Sequence, residues 1–317
     1  MRTNETMLDA LNAGLHMIGH AFVVFRRFPV FILPLLGCWI VYAVIILYLE
    51  FGSTGNQILE ISDFLSVFAL IFVFTSVLAF SGFVVLELIQ QVESGRTPKL
   101  FAATRDALRE NFVKAIPIIL VWSALWFVLT VLSAIFSRRK SDRGSDRLSM
   151  QSAARTFAKS DTSFFSFRNY FRMLNKALRM QAFLILPAIA WLNCGPSNAT
   201  KLGHSVSRQH LKHFASGFIL SEGVAMIIFL PAGLLIVFVD QGNYSLPDAI
   251  WLGVIIYCAV GWSFVIYVEQ MFAAELFLWH LKWSRENERR ASLNLPAVAL
   301  GEVARPDLLD DVSELLI

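Results

Sequence analysis

Charge is scarce in this chain. Asp, Glu, Lys and Arg make up 16% of its 317 residues, against roughly a quarter in an average soluble protein. That shortage excludes a disordered protein, a nucleic-acid-binding domain and an ordinary cytosolic enzyme. Cysteine is scarcer still. Cys38, Cys194 and Cys258 each lie in an apolar run. Three such residues build no disulfide framework, and their spacing fits no zinc site. The motifs of soluble enzymes are also missing: there is no phosphate loop, no His-Glu-x-x-His pair and no nucleophile elbow. No catalytic residue, metal ligand or cofactor is therefore expected. The net charge of +3 is too small to imply a polyanionic partner, nucleic acid included.

Apolar residues, in contrast, reach 56%, with a mean hydropathy of +0.60. A bilayer core about 30 Å thick needs roughly 20 apolar residues in a helix. Five runs meet that length: 28–49, 65–89, 115–136, 215–239 and 250–278. A sixth, Ala182 to Cys194, becomes adequate if its helix begins near Leu178 and Arg179 snorkels to the interface. The expected fold is an all-α, polytopic membrane bundle of about six spans, with amphipathic lead-in helices. Residues 1–290 form the membrane domain. The first run is about twice the length of a signal-peptide core and lacks a cleavage site before Gly52, so it reads as a retained span.

Orientation follows from Lys and Arg in short loops. Residues 1–27, 90–114, 195–214 and 279–290 carry fifteen between them, and hairpins 50–63 and 240–249 carry none. Both termini are therefore expected on the cytoplasmic side. The segment 137–177 conflicts with this bias, because six crossings place its many basic residues outside. Long loops obey the charge rule less strictly.

Before the first run, Leu8, Leu11, Leu15, Ile18, Phe22 and Phe25 recur at helical spacing. Thr97-Pro98 reads as the helix start before the third run. Lys201, Leu202 and Phe214 repeat Lys99, Leu100 and Phe112 at an offset of 102. These lead-ins suggest one unit, an amphipathic helix plus two spans, used three times. Any basic amphipathic helix before a span would look similar.

Four carboxylates fall inside the runs: Glu87, Glu222, Glu269 and Glu275. Intramembrane ionisable groups are functional candidates by default. They could bind a cation, share protons or line a vestibule; Glu87 and Glu275 could equally snorkel. None of the five long runs contains a Lys or Arg. In the long loop, Phe164, Phe167, Phe171, Leu174 and Leu178 line one helical face, and Arg168, Arg172, Lys176 and Arg179 decorate the other. Such a helix lies in the headgroup plane and contacts anionic lipid, or else packs on the bundle. His210 and His213 form an i, i+3 pair without a carboxylate or Cys beside them, too few ligands for zinc. The acidic tail 291–317 is expected to be flexible and is a candidate docking element for a protein partner. With six spans per chain, a transport role would require a homo-oligomer.

Two stretches carry a family resemblance. One is Gly95-Arg96-Thr97-Pro98 leading through Asp106-Ala107-Leu108-Arg109. The other is Ile185-Leu186-Pro187-Ala188 followed by Ser205-Val206-Ser207-Arg208. Together they resemble a family of six-pass bacterial inner-membrane proteins known only as a domain of unknown function. The resemblance implies a fold and a bacterial inner-membrane location, and carries over no functional residue. Two functions remain in view: a non-enzymatic membrane protein that contacts lipid or recruits partners, and an oligomeric ion channel or small-solute permease using the carboxylates.

Overall fold

The computed structural model describes residues 6–52, 61–137, 167–242, 246–309 and 312. Among them are nine α-helices and no strand. They are α1 (Met7–Arg27), α2 (Leu33–Gly52), α3 (Ile61–Glu93), α4 (Leu100–Asp106), α5 (Val113–Ser137), α6 (Phe167–Ala190), α7 (Pro196–Gln209), α8 (Leu211–Gly242) and α9 (Asp248–Ser292). The fold is all-α. Five helical stretches are long and apolar enough to cross a membrane: Met7–Arg27, Phe64–Glu93, Leu100–Ser133, Leu211–Gly242 and Asp248–Ser292. Pro29–Ile45 is a shorter apolar helix.

The helices fall into three units: α1–α3, α4–α6 and α7–α9. In each unit the last two helices pack together as a hairpin, α2 on α3, α5 on α6 and α8 on α9. Each lead-in then packs on the last helix of the preceding unit. Thus α4 lies on α3, α7 on α6, and α1 closes the set on α9 and α8. The offset of 102 holds beyond its three identities. Asn111, Ala115 and Ile119 are buried, and so are His213, Gly217 and Ser221.

The lead-ins end differently. Phe28 (φ −134°) breaks α1, and a 3-10 turn, Pro29–Ile32, joins it to α2. A π-helical turn, Ala107–Phe112, runs α4 on into α5. His210 (φ −115°, ψ 42°) breaks α7 from α8. One boundary expectation is corrected. Thr97 does not cap α4. The extended residue there is Lys99, whose N–H donates to Gln91 Oε1 at 2.7 Å. The chain reaches it through Gly95 at φ +69°. With Gly95 N–H on Val92 O and Arg96 N–H on Gln91 O, this left-handed turn satisfies the last carbonyls of α3.

The apolar stripe of α1 is divided: Leu8, Leu15 and Phe22 are exposed, Leu11 and Phe25 are half-buried and Ile18 is buried. The buried face is the small-residue one, Ala10, Ala13, Gly14, Met17, Ile18, Ala21 and Val24. Close approach to α8 is the cause. A Cβ on Gly14 would stand 2.7 Å from Ser216 Oγ and 2.8 Å from Leu220 Cδ1. Small residues let helix backbones approach in lipid, where burying large apolar groups brings no gain over leaving them in the acyl chains.

The fourth span differs most from expectation. Its apolar helix stops at Ala190, where Asn193 (φ +50°) turns the chain. Leu178 to Ala190 covers only about 20 Å at 1.5 Å per residue. The amphipathic loop segment and this apolar stretch are one continuous helix, α6, of 24 residues, roughly 36 Å long. α6 is absent from the five apolar stretches because its first half carries cations.

The main core lies where the third helix of each unit converges: Leu78 to Ile89 of α3, Met180 to Ile189 of α6 and Ile266 to Trp279 of α9. The outer helices α2, α5 and α8 expose Ile40, Val44, Leu125, Val128, Ile227 and Leu234, as lipid-facing surfaces do. A small second cluster, including Ile236, Val239 and Trp251, joins α8 and α9 near their hairpin.

The tail is not the expected flexible appendage over its described part. Leu300, Leu308 and Val312 are buried. Trp279 Nε1 donates to Val303 O at 3.0 Å, Trp283 Nε1 to Val298 O at 2.8 Å, and Val298 N–H to Asn287 Oδ1 at 2.8 Å. The two indoles hold the tail against α9.

Candidate functional site: an ion-pair network between α6, α8 and α9

Arg172, Lys176 and Arg179 recur at intervals of four and three, so they share one face of α6. That face meets Glu222 of α8 and Glu269 of α9. The Arg179 guanidinium holds Glu269 bidentately, Nε to Oε2 at 2.7 Å and Nη2 to Oε1 at 3.0 Å. Lys176 Nζ donates to Glu222 Oε2 at 2.7 Å and lies 3.7 Å from Glu269 Oε1. Arg172 Nη2 donates to Glu222 Oε1 at 2.8 Å. The Lys176 ammonium also sits over the Phe218 ring, 4.8 Å from its centroid. Glu269 is fully buried and Lys176 nearly so, whereas Glu222 and Arg172 are each about 30% exposed along the side chain.

The network is deep. Glu222 lies twelve residues beyond His210, and Glu269 eleven before His280. Both are therefore roughly 17 Å from the contact between those two histidines, about half a bilayer core away. From the sequence, Arg172, Lys176 and Arg179 are expected at lipid headgroups. The structure places all three on carboxylates. Arg168 lies outside the described side chains. Left unpaired, a charge so buried would be costly, and the bidentate geometry at Arg179 offsets part of the desolvation.

The other two carboxylates are also held. Asn111 Nδ2 donates to Glu87 Oε1 at 2.7 Å. His20 Nδ1 lies 3.1 Å from Glu275 Oε2, and its Nε2 lies 3.4 Å from Asp307 of the tail. Both contacts join a lead-in to the last helix of the preceding unit. At the third such contact, Gly203 of α7 presses on Ile185 of α6, where a Cβ would stand 2.6 Å from Ile185 Cγ1. The structure thus does not gather the four carboxylates into one site. It pairs Glu222 with Glu269 and sets Glu87 and Glu275 at separate packing contacts.

Some buried polar atoms lack a protein partner. Both amide atoms of Gln270, beside Glu269, make no hydrogen bond, nor do Asn175 Oδ1 and Gln181 Nε2 on α6. His210 pairs with His280, Nε2 to Nδ1 at 3.0 Å, rather than with His213. Burial first, then His280 and His213, push the His210 pKa down to about 3. Among the described residues, no group of three or more His, Cys, Asp and Glu is placed to hold a metal ion. Sequence reasoning singled out these cations, for headgroups or for packing on the bundle, and missed their pairing with Glu222 and Glu269. The signal was present in the spacing of Arg172, Lys176 and Arg179, given two carboxylates elsewhere that lacked partners in their own helices.

In comparisons with protein-family models, with curated proteins and with solved structures, nothing matches this chain.

Proposed function

We propose that this is a non-enzymatic integral membrane protein that acts through lipid contact or partner recruitment. In this reading it crosses the bacterial inner membrane six times with both termini cytoplasmic. One observation carries it: each of the four intramembrane carboxylates is engaged by a side chain of the same protein, and Glu269 is sealed by a bidentate arginine. A group so engaged holds helices together and is not available as a cation ligand. The three lead-ins at one end of the bundle, each with two basic residues (Arg26 and Arg27, Arg105 and Arg109, Lys201 and Arg208), supply the surface that meets anionic headgroups. The acidic tail is the candidate element for a protein partner.

Anionic lipid should therefore be retained over zwitterionic lipid when the protein is extracted in mild detergent. Retention should fall as salt rises, because exposed charges are screened. Equal retention of both lipid classes at low salt would refute the lipid part of the proposal.

A second reading, an oligomeric ion channel or small-solute permease, is favoured by one observation, the unpartnered amide of Gln270 beside Glu269. Buried polar groups left without protein partners are where internal water collects, and a hydrated path would need such groups.

A further inference from the structure

A surface cavity of about 690 Å³ lies where α7 meets the end of α9, within the usual size range of ligand sites. One wall is a face of α7. Lys201, His204 and Arg208 stand there at i, i+3 and i+7, with Ser205 between them. α7 carries no acidic residue, and none of the lining residues is acidic. The floor is His210, fixed by its contact with His280 and by the Trp283 ring, which meets it edge-on at 5.0 Å. Trp283 is itself tied to the tail through Val298 O. The cavity therefore combines exposed basic donors on one wall with an aromatic floor held by its own contacts. A phosphate group accepts several such charge-assisted hydrogen bonds at once, while a cationic or purely apolar ligand would find no complement.

We infer that this cavity binds a phosphate-bearing ligand, held by Lys201, His204 and Arg208 above Trp283. With a lipid headgroup as its source the inference rests on the lipid part of the proposal above; with a soluble phosphate it stands apart from it. The phosphate could belong to a lipid headgroup or to a soluble molecule, and the two sources are separable.

The test uses the full-length protein in neutral-lipid nanodiscs, with Trp283 as reporter. Inorganic phosphate is titrated in one arm, and phosphatidic acid is incorporated into the nanodiscs in the other. A saturable fluorescence change that disappears in Trp283→Phe is expected in at least one arm. Lys201→Gln with Arg208→Gln should weaken its midpoint about tenfold or more, since two charge-assisted bonds are lost. Arg208→Lys, which keeps the charge, should bind more tightly than Arg208→Gln. A response to inorganic phosphate identifies a soluble ligand class; a response to phosphatidic acid alone identifies the headgroup. No saturable response to either probe, or an unchanged midpoint in the double variant, would overturn the inference. Both substituted positions are exposed, so a folding defect is not expected, and retained helical circular dichroism would verify that.

Discussion

At the scale of single residues, the buried charges decide the account. Removing one partner of a buried ion pair leaves the other uncompensated, which typically costs about 3–5 kcal/mol, whereas replacing both with apolar groups is often neutral or stabilising. Arg179 and Glu269 should follow that asymmetry. Glu269→Leu and Arg179→Leu should each lower thermal stability in detergent, and the double variant should recover most of the loss. Additive losses in the double-mutant cycle would mean that the pair is not coupled. The carboxylates were legible in the sequence because a charge inside an apolar run is conspicuous. Their partners were not. Arg179 lies 90 residues from Glu269, and His20 lies 255 from Glu275. A basic amphipathic segment looks the same whether it faces headgroups or buried glutamates. Local spacing fixes which residues share a helix face, and says nothing about what that face meets.

At the scale of helices, apolar length and periodicity located most elements, and packing altered their use. α1 shows this best. Its large apolar residues marked an amphipathic helix, and in the structure Ala and Gly supply most of the face on the bundle because they permit close approach. Gly14→Leu should therefore displace α1 from α8. Its side chain would have to occupy space already filled by Ser216 and Leu220. The expected effect is a loss of about 1–3 kcal/mol, typical of overpacking, and greater protease access to residues 1–27. An equally stable and equally protected variant would show that the small-residue face is not tightly packed. α6 teaches the complementary lesson. Mean apolarity divided it at Arg179 into an in-plane helix and a short span. The structure keeps one helix because the cations of its first half find carboxylates on α8 and α9. The tail was misread for a similar reason. Its acidic residues suggested solvation, while Leu300, Leu308 and Val312 find buried positions.

At the scale of the molecule, three lead-in-plus-hairpin units close into a cycle. The third helices form the core and the outer helices present apolar surface. The internal echo in the sequence pointed to this repeat through three identities, and the buried positions that follow them at the same offset extend it. Within that cycle each of the four carboxylates is engaged by another side chain, which is the arrangement the proposed scaffold requires. Ion flux in proteoliposomes tests this most directly. Purified wild-type protein, inserted in liposomes carrying a cation gradient, should pass no more cation than protein-free liposomes, and Glu222→Gln and Glu269→Gln should leave that baseline unchanged. Wild-type flux above the baseline that either substitution abolishes would contradict the scaffold account.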